Sequence, residues 1–367
     1  MGIPKDLTIE ESFVLNVLRG LCNKDFSVDP SYSNAFSHLN WKRIFKIGFE
    51  QKVMGFIAFA AIKQGWISSL PLDIQKVLQN TLLEYRFSNE EKKMQFKKIS
   101  TLLENEDVCL IPLKGIYLSS YIYEEMPYRV MDDIDVLVHK ENVEKVINIL
   151  VNQGFEQAVY PLRYRWQTKI IQEIFGKDDI YWKRLGRNGY TDGGGLNIDL
   201  HWEPYYVIGG QWITFDPDFF WKSAAPLRHL LFLFAHTADQ YTPSLVQLFD
   251  IALSIKKIPE ALSGLKEETR DWPPLAREHL LKLYRIAEEI WFAAIPVSDL
   301  SGEAKDLLKD FFNRAGKKER YDPYSPVLSI RQKIIFLIGY LIPEPSFYME
   351  NKAWVMYKRH WSFIIKG

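Results

Sequence analysis

The run Leu196-Asn197-Ile198-Asp199-Leu200-His201-Trp202 alternates strictly between polar and apolar residues, the pattern of an extended strand with one buried face. Asn197, Asp199 and His201 share one side, and Ile198, Leu200 and Trp202 the other. A carboxylate midway along such a strand is hard to account for as a solvated charge. A second run, Asp133-Ile134-Asp135-Val136-Leu137-Val138, is β-branched and apolar after an acidic start and predicts a buried strand. Asp133 and Asp135 are two apart, so their side chains project to one side while Ile134 points into the core.

Around these two runs the periodicity is mostly helical. From Ser12 to about Lys98 apolar residues recur at helical spacing, as in Phe13, Val14, Val17 and Leu18, then Val77, Leu78 and Leu82. The pattern changes at Asp107. Val108-Cys109-Leu110-Ile111-Pro112 reads as a short strand, Lys114-Gly115 as a tight turn, and Ile116 to Tyr123 as a helix. Val143, Val146, Ile147 and Leu150 mark another helix that Gly154 is positioned to end, with Phe155 to Tyr160 the next strand. Pro161 to Gly195 is an irregular basic and aromatic stretch holding Arg163, Arg165, Lys169, Lys183, Arg184 and Arg187 and closing on Gly193-Gly194-Gly195, as expected of an insertion near a site. From Pro226 the pattern is helical again, through Leu230 to His236, Leu245 to Ile255, Leu280 to Phe292 and Ile330 to Leu341. The expected organisation is a helical N-terminal region over 1–100, an α+β core over 101–222 and a helical C-terminal domain over 223–367.

Composition narrows the function classes. At 367 residues, 47% apolar and 25% charged, the chain can bury more than one core. Lys plus Arg equals Asp plus Glu at 46 each, so no global field favours long nucleic acid or an anionic membrane, and phosphate binding has to come from a local cluster. Cys22 and Cys109 are too few for a disulfide framework or thiolate cage and read as small buried apolar residues of a cytoplasmic protein. Apolar runs such as Ile334 to Ile342 are about half the roughly 20 residues a bilayer span requires.

Three carboxylates on strand faces are what a hard cation such as magnesium prefers, and what two-metal phosphoryl transfer uses. The competing reading is structural: Asp133 and Asp135 at a strand's solvent-facing start, and Asp199 paired with an arginine of the preceding insertion. A D-x-D pair alone does not decide between them. The ordered set does more: a strand, a glycine turn opening a helix, a strand beginning D-x-D, then a later strand with a central Asp.

That order, carried by Leu113-Lys114-Gly115, Arg129, Asp133-Ile134-Asp135-Val136-Leu137-Val138 and Ile198-Asp199-Leu200-His201-Trp202, resembles the bacterial family of uncharacterised nucleotidyltransferases in the polymerase-beta-like superfamily. The likeness continues through His236, Leu248-Phe249-Asp250-Ile251-Ala252-Leu253 and Tyr340-Leu341-Ile342-Pro343. The resemblance implies a small mixed sheet flanked by helices, two Mg2+ ions and a nucleoside triphosphate such as ATP. On that pattern Asp133 and Asp135 match the paired metal ligands, and Asp199 the third carboxylate, which activates the acceptor hydroxyl. Gly115 matches the glycine that admits the triphosphate, although Lys114-Gly115 stands where the superfamily commonly has Gly-Ser.

Lys114 is a candidate for the β- and γ-phosphates or a surface lysine beside a turn, and Arg129 a phosphate ligand or a partner of Asp132 or Asp133. His201 shares the Asp199 face and is either a site residue or a hydrogen-bonded core histidine. His236 and Asp250, on leucine- and phenylalanine-rich helices, read as structural support. The expected activity is transfer of a nucleoside monophosphate from a triphosphate to a hydroxyl or phosphate of a small-molecule or peptide acceptor, with release of pyrophosphate. A non-catalytic nucleotide- or partner-binding module is the alternative, and a metal-dependent phosphohydrolase, which wants a richer histidine cluster, a third.

Overall fold

A computed structural model describes residues 7–23, 36, 38–123, 126, 128–157, 187–192, 196–202, 204–208, 211–215, 217–221, 225–239, 244–258, 260–292 and 299–314. Outside them lie Arg163, Arg165, Lys169, Lys183 and Arg184, Gly193 to Gly195, the end of the strand expected to run to Tyr160, and everything beyond Arg314, including the expected helix Ile330 to Leu341.

The chain begins with helices α1 (Ile9–Asn23), α2 (Trp41–Glu50), α3 (Met54–Lys63) and α4 (Leu72–Glu104). A strand β1 (Ile111–Pro112), helix α5 (Lys114–Tyr121), strand β2 (Ile134–Leu137), helix α6 (Val143–Asn152) and strands β3 (Glu156–Gln157), β4 (Arg187–Thr191) and β5 (Asn197–His201) follow. A two-stranded sheet of β6 (Tyr205–Ile208) and β7 (Gln211–Thr214) is followed by α7 (Pro217–Trp221), α8 (Ala225–Asp239), α9 (Leu245–Lys257), α10 (Ala261–Glu268), α11 (Pro274–Trp291) and α12 (Gly302–Arg314). The fold is mixed α+β, mostly helical. Contacts divide it into two compact units, Asn80–Tyr205 with Thr214–His229, and Met1–Gln79 with Tyr206–Ile213 and Leu230–Gly367.

The first unit carries a five-stranded mixed sheet in the order β1-β2-β5-β4-β3. β2 and β5 run parallel, while β1–β2, β4–β5 and β3–β4 are antiparallel. Ile134, Val136 and Val138 from the β2 run and Ile198, Leu200 and Trp202 from the β5 run form one buried cluster with Ile99 and Leu103 of α4 and Val146 and Leu150 of α6. Each such aliphatic side chain stabilises the fold by roughly 1.5–3 kcal/mol. This burial fixes the register, because a one-residue slip would carry every apolar residue of the strand to the polar face. Gly154, at φ +86°, ends α6 in the left-handed conformation, and the Phe155 amide donates to the Leu150 carbonyl across it.

Three local expectations differ from the structure. β1 is confined to Ile111–Pro112, and the expected Lys114-Gly115 turn contracts to one left-handed residue, Lys114 at φ +44°, that is already the first residue of α5. Residues Arg187–Thr191, read as irregular, form β4. Only Tyr190 among them is a bulky apolar residue, so no alternation betrays the strand, and it is held by its antiparallel ladder to β5. Cys109 is exposed, because it lies between Val108 and Leu110, whose side chains are the buried ones; Cys22 is buried as expected.

The other unit is built on helices and the two-stranded β6–β7 sheet. Phe13 of α1 meets Phe36, Trp41 and Trp66 edge to face, and Phe249 of α9 packs in the same way against Phe56 and Trp291. Among the described residues no helix is long and apolar enough to cross a membrane.

Candidate active site

The parallel register of β2 and β5 sets Asp135 beside Asp199 and Leu137 beside His201. Adjacent strands lie about 4.8 Å apart and opposed residues share a face, so the two carboxylates are neighbours as a consequence of packing on the opposite side of the sheet. His201, two residues beyond Asp199, is on that face too. Its Nε2 lies 3.3 Å from Asp135 Oδ1 and 3.3 Å from Asp199 Oδ2. One ligand atom from each of Asp135, Asp199 and His201 falls within 4.8 Å of the other two, close enough that the three could share a cation. On β4, Gly189 is the residue registered opposite Asp199.

Lys114 completes the cluster from the start of α5. Its Nζ lies 2.5 Å from Asp135 Oδ1, and the Leu113 amide just before it donates to the Asp135 carbonyl. Asp133 occupies the bend immediately before β2, half-buried. It acts electrostatically on Asp135 and Asp199 but is not one of the three residues whose ligand atoms converge.

Charge governs this face. The negative charge of Asp135, then burial, with smaller contributions from Asp199 and Asp132, push the Asp133 carboxyl up to about 7 against the pull of Lys114. For Asp135 itself burial opposes ionisation, but Lys114 and the hydrogen bond from His201 outweigh it and hold the carboxyl well below the usual range. Burial likewise favours a neutral His201, and Asp199 together with hydrogen bonds to both carboxylates raises the ring above its ordinary value. His201 Nδ1 is buried without a hydrogen-bond partner, so the ring is held through Nε2.

Two carboxylate oxygens and one imidazole nitrogen form a mixed donor set that could hold a divalent cation. Crowding of like charge around Asp135 is what such a cation relieves. The residues present therefore fit a metal; Asp133, expected as a further ligand, lies beside the three side chains whose ligand atoms converge. His201 sits at i+2 from Asp199 on a period-2 strand, which is why the sequence already placed it on this face.

The remaining candidates are distributed as follows. The space that a side chain at Gly115 would need is taken by Arg129, whose Nη1 would lie 3.0 Å from the added Cβ, and by Met131 Cγ at 3.1 Å. Arg129 Nη1 donates to the Val130 carbonyl, and the Arg129 carbonyl accepts from Asn89 Nδ2 of α4, so the segment leading to Asp133 is pinned to that helix. His236, on α8, and the buried Asp250, on α9, belong to the other unit; His236 packs edge to face on Tyr206.

A family model described as uncharacterised nucleotidyltransferase matches residues 37–287, more than half of the chain. A segment of 50 residues is 36% identical to a protein named gonadotropin-releasing hormone receptor from Macaca mulatta, covering 14% of this chain and 83% of that protein, too small a part of the chain to bear on its fold or activity. No solved structure matches. With the family model spanning both the Asp135–Asp199–His201 cluster and the helices on either side of it, the chain belongs to the uncharacterised nucleotidyltransferase family and is a transferase enzyme.

Proposed function

We infer that the protein transfers a nucleoside monophosphate from a triphosphate to a hydroxyl or phosphate of a small-molecule or peptide acceptor, on a polymerase-beta-like core. The observation that carries this reading is the β2–β5 register, which sets Asp135 against Asp199 with His201 closing the triangle. The acceptor oxygen bonds to the α-phosphorus, the bond from that phosphorus to the α,β-bridging oxygen breaks, and pyrophosphate leaves. The acceptor's proton passes to a carboxylate of the site or to solvent.

Asp135, buried, is assigned as a cation ligand together with Asp199, His201 orients both carboxylates through Nε2, and Asp133 adds negative charge beside them. A bound divalent cation, with Mg2+ the natural choice, supplies neutralisation of the phosphate charge and polarisation of the reacting oxygens. Asp199, more exposed than Asp135 at 14% against 3% of the side chain, is assigned to the acceptor side, where it orients the hydroxyl by accepting its hydrogen bond. Lys114 is assigned to the phosphates. Lys114 is the first residue of α5, and its ammonium beside Asp135 is a point charge within the carboxylate cluster where the phosphates would be neutralised.

The test is calorimetry of triphosphate binding with and without Mg2+, followed by pyrophosphate release with panels of hydroxylated small molecules and peptides. Mg2+-dependent binding with acceptor-dependent release is the expected result. Tight binding with no release across acceptors would instead favour a nucleotide-binding module.

A further inference from the structure

Asp135 Oδ1 has two lone-pair directions, and both are engaged, by Lys114 Nζ at 2.5 Å and by His201 Nε2 at 3.3 Å. A cation that coordinates this oxygen must displace one of the two. His201 is 1% exposed, set in β5 and tied to Asp199 as well as Asp135. Lys114 reaches in on a flexible four-carbon stem, 14% exposed, from the first residue of α5. Its backbone stands at φ +44°, a conformation that costs a non-glycine residue energy and concentrates at sites where function needs it. The mobile partner is therefore Lys114.

We propose that Lys114 is an exchangeable counter-ion: paired with Asp135 it holds the cation site closed, and it transfers to the phosphates of a nucleoside triphosphate as the divalent ion takes its place. Cation and triphosphate then enter together, each favouring the other. The inference rests on the nucleotidyltransfer reading and adds a coupling to it.

The experiment uses the full chain, Mn2+ followed by electron paramagnetic resonance, and an α,β-methylene triphosphate that cannot be cleaved. In Lys114→Met, Mn2+ alone should bind roughly tenfold more tightly than to the wild type, within the usual range of coupling factors. The gain in Mn2+ affinity on adding the triphosphate should be smaller than in the wild type. Lys114→Asn is the second neutral variant, because asparagine tolerates the left-handed region and keeps the start of α5 unstrained. Both changes are required: Mn2+ affinity that is unaltered or weaker in folded variants, or a triphosphate effect that is undiminished, overturns the inference while leaving the reaction assignment intact. Failure of the wild type to bind Mn2+ with or without triphosphate overturns the assignment and the inference with it.

Discussion

Two pairs of acidic residues in this chain are partly or wholly withdrawn from water, and they are held differently. Glu10 and Glu11 of α1 each face a donor. Glu11 Oε2 accepts from the Thr8 amide at 2.8 Å, Glu11 Oε1 from Arg43 Nη2 at 2.6 Å, and Glu10 Oε1 from the Asn40 amide at 3.1 Å. Thr8 Oγ1 returns the favour to the Glu11 amide, which makes a capping box at the helix start. At β2, Asp135 converges with Asp199 while Asp133 lies close enough to repel both, and their charge is balanced by Lys114 and His201 rather than by a helix cap. Burial of carboxylates is thus not itself a sign of chemistry. Convergence on one point is, because like charges are brought together only where something else gains from it.

The largest expected effect falls on turnover. Asp135→Asn should lower pyrophosphate release by roughly 10²–10³-fold, the scale of losing one preorganised electrostatic group, while circular dichroism stays that of the wild type. Glu11→Gln should leave release unchanged, and a drop comparable to that of Asp135→Asn would erase the contrast between the two pairs. A third buried ionisable group, His229, extends it to pH. Burial lowers its pKa to about 3, and the ring stacks on Tyr117 at 3.5 Å and leans on Phe220. The unfolded chain takes up this proton near 6.5 and the folded chain does not, so stability is lost as pH falls from 6.5 towards 3, by at most about 1.4 kcal/mol per pH unit. His229→Phe should flatten that part of the denaturation profile; an unchanged slope would show that the histidine is protonated in the fold.

Smaller effects separate the pairs by sign. Glu11→Ala should cost about 1–2 kcal/mol in urea denaturation, through the lost cap and the Thr8 amide left without its acceptor. Asp133→Asn, at pH 7.5 in chelator, should instead raise stability by about 0.5–2 kcal/mol, because the neutral amide removes repulsion from Asp135 at a position kept for function. Destabilisation of similar size in both variants would mean that Asp133 is a structural carboxylate like Glu11.

Much of the sheet was legible because its core face writes itself into period-2 patterns. The Ile198, Leu200, Trp202 and Ile134, Val136, Val138 series identified β5 and β2, and Gly154 marked the end of α6. β4 was illegible because Asn188 and Gly189 carry no hydrophobic signal and the strand exists through its ladder to β5. Asp135, Asp199 and His201 could all be picked out as polar residues on strand faces. Their meeting depends on the parallel register, a non-local property that no spacing within either strand encodes. Lys114 was read as a phosphate ligand from its glycine neighbour, but its contact with Asp135 follows from one left-handed residue and the shortness of β1.

The most direct test is crystallographic: crystals soaked with Mn2+ and the α,β-methylene triphosphate, with anomalous scattering collected at the manganese edge. The expected result is an anomalous peak bounded by Asp135, Asp199 and His201 with phosphate oxygens completing its shell. A triphosphate bound elsewhere, or bound with no anomalous peak among those three side chains, would contradict it.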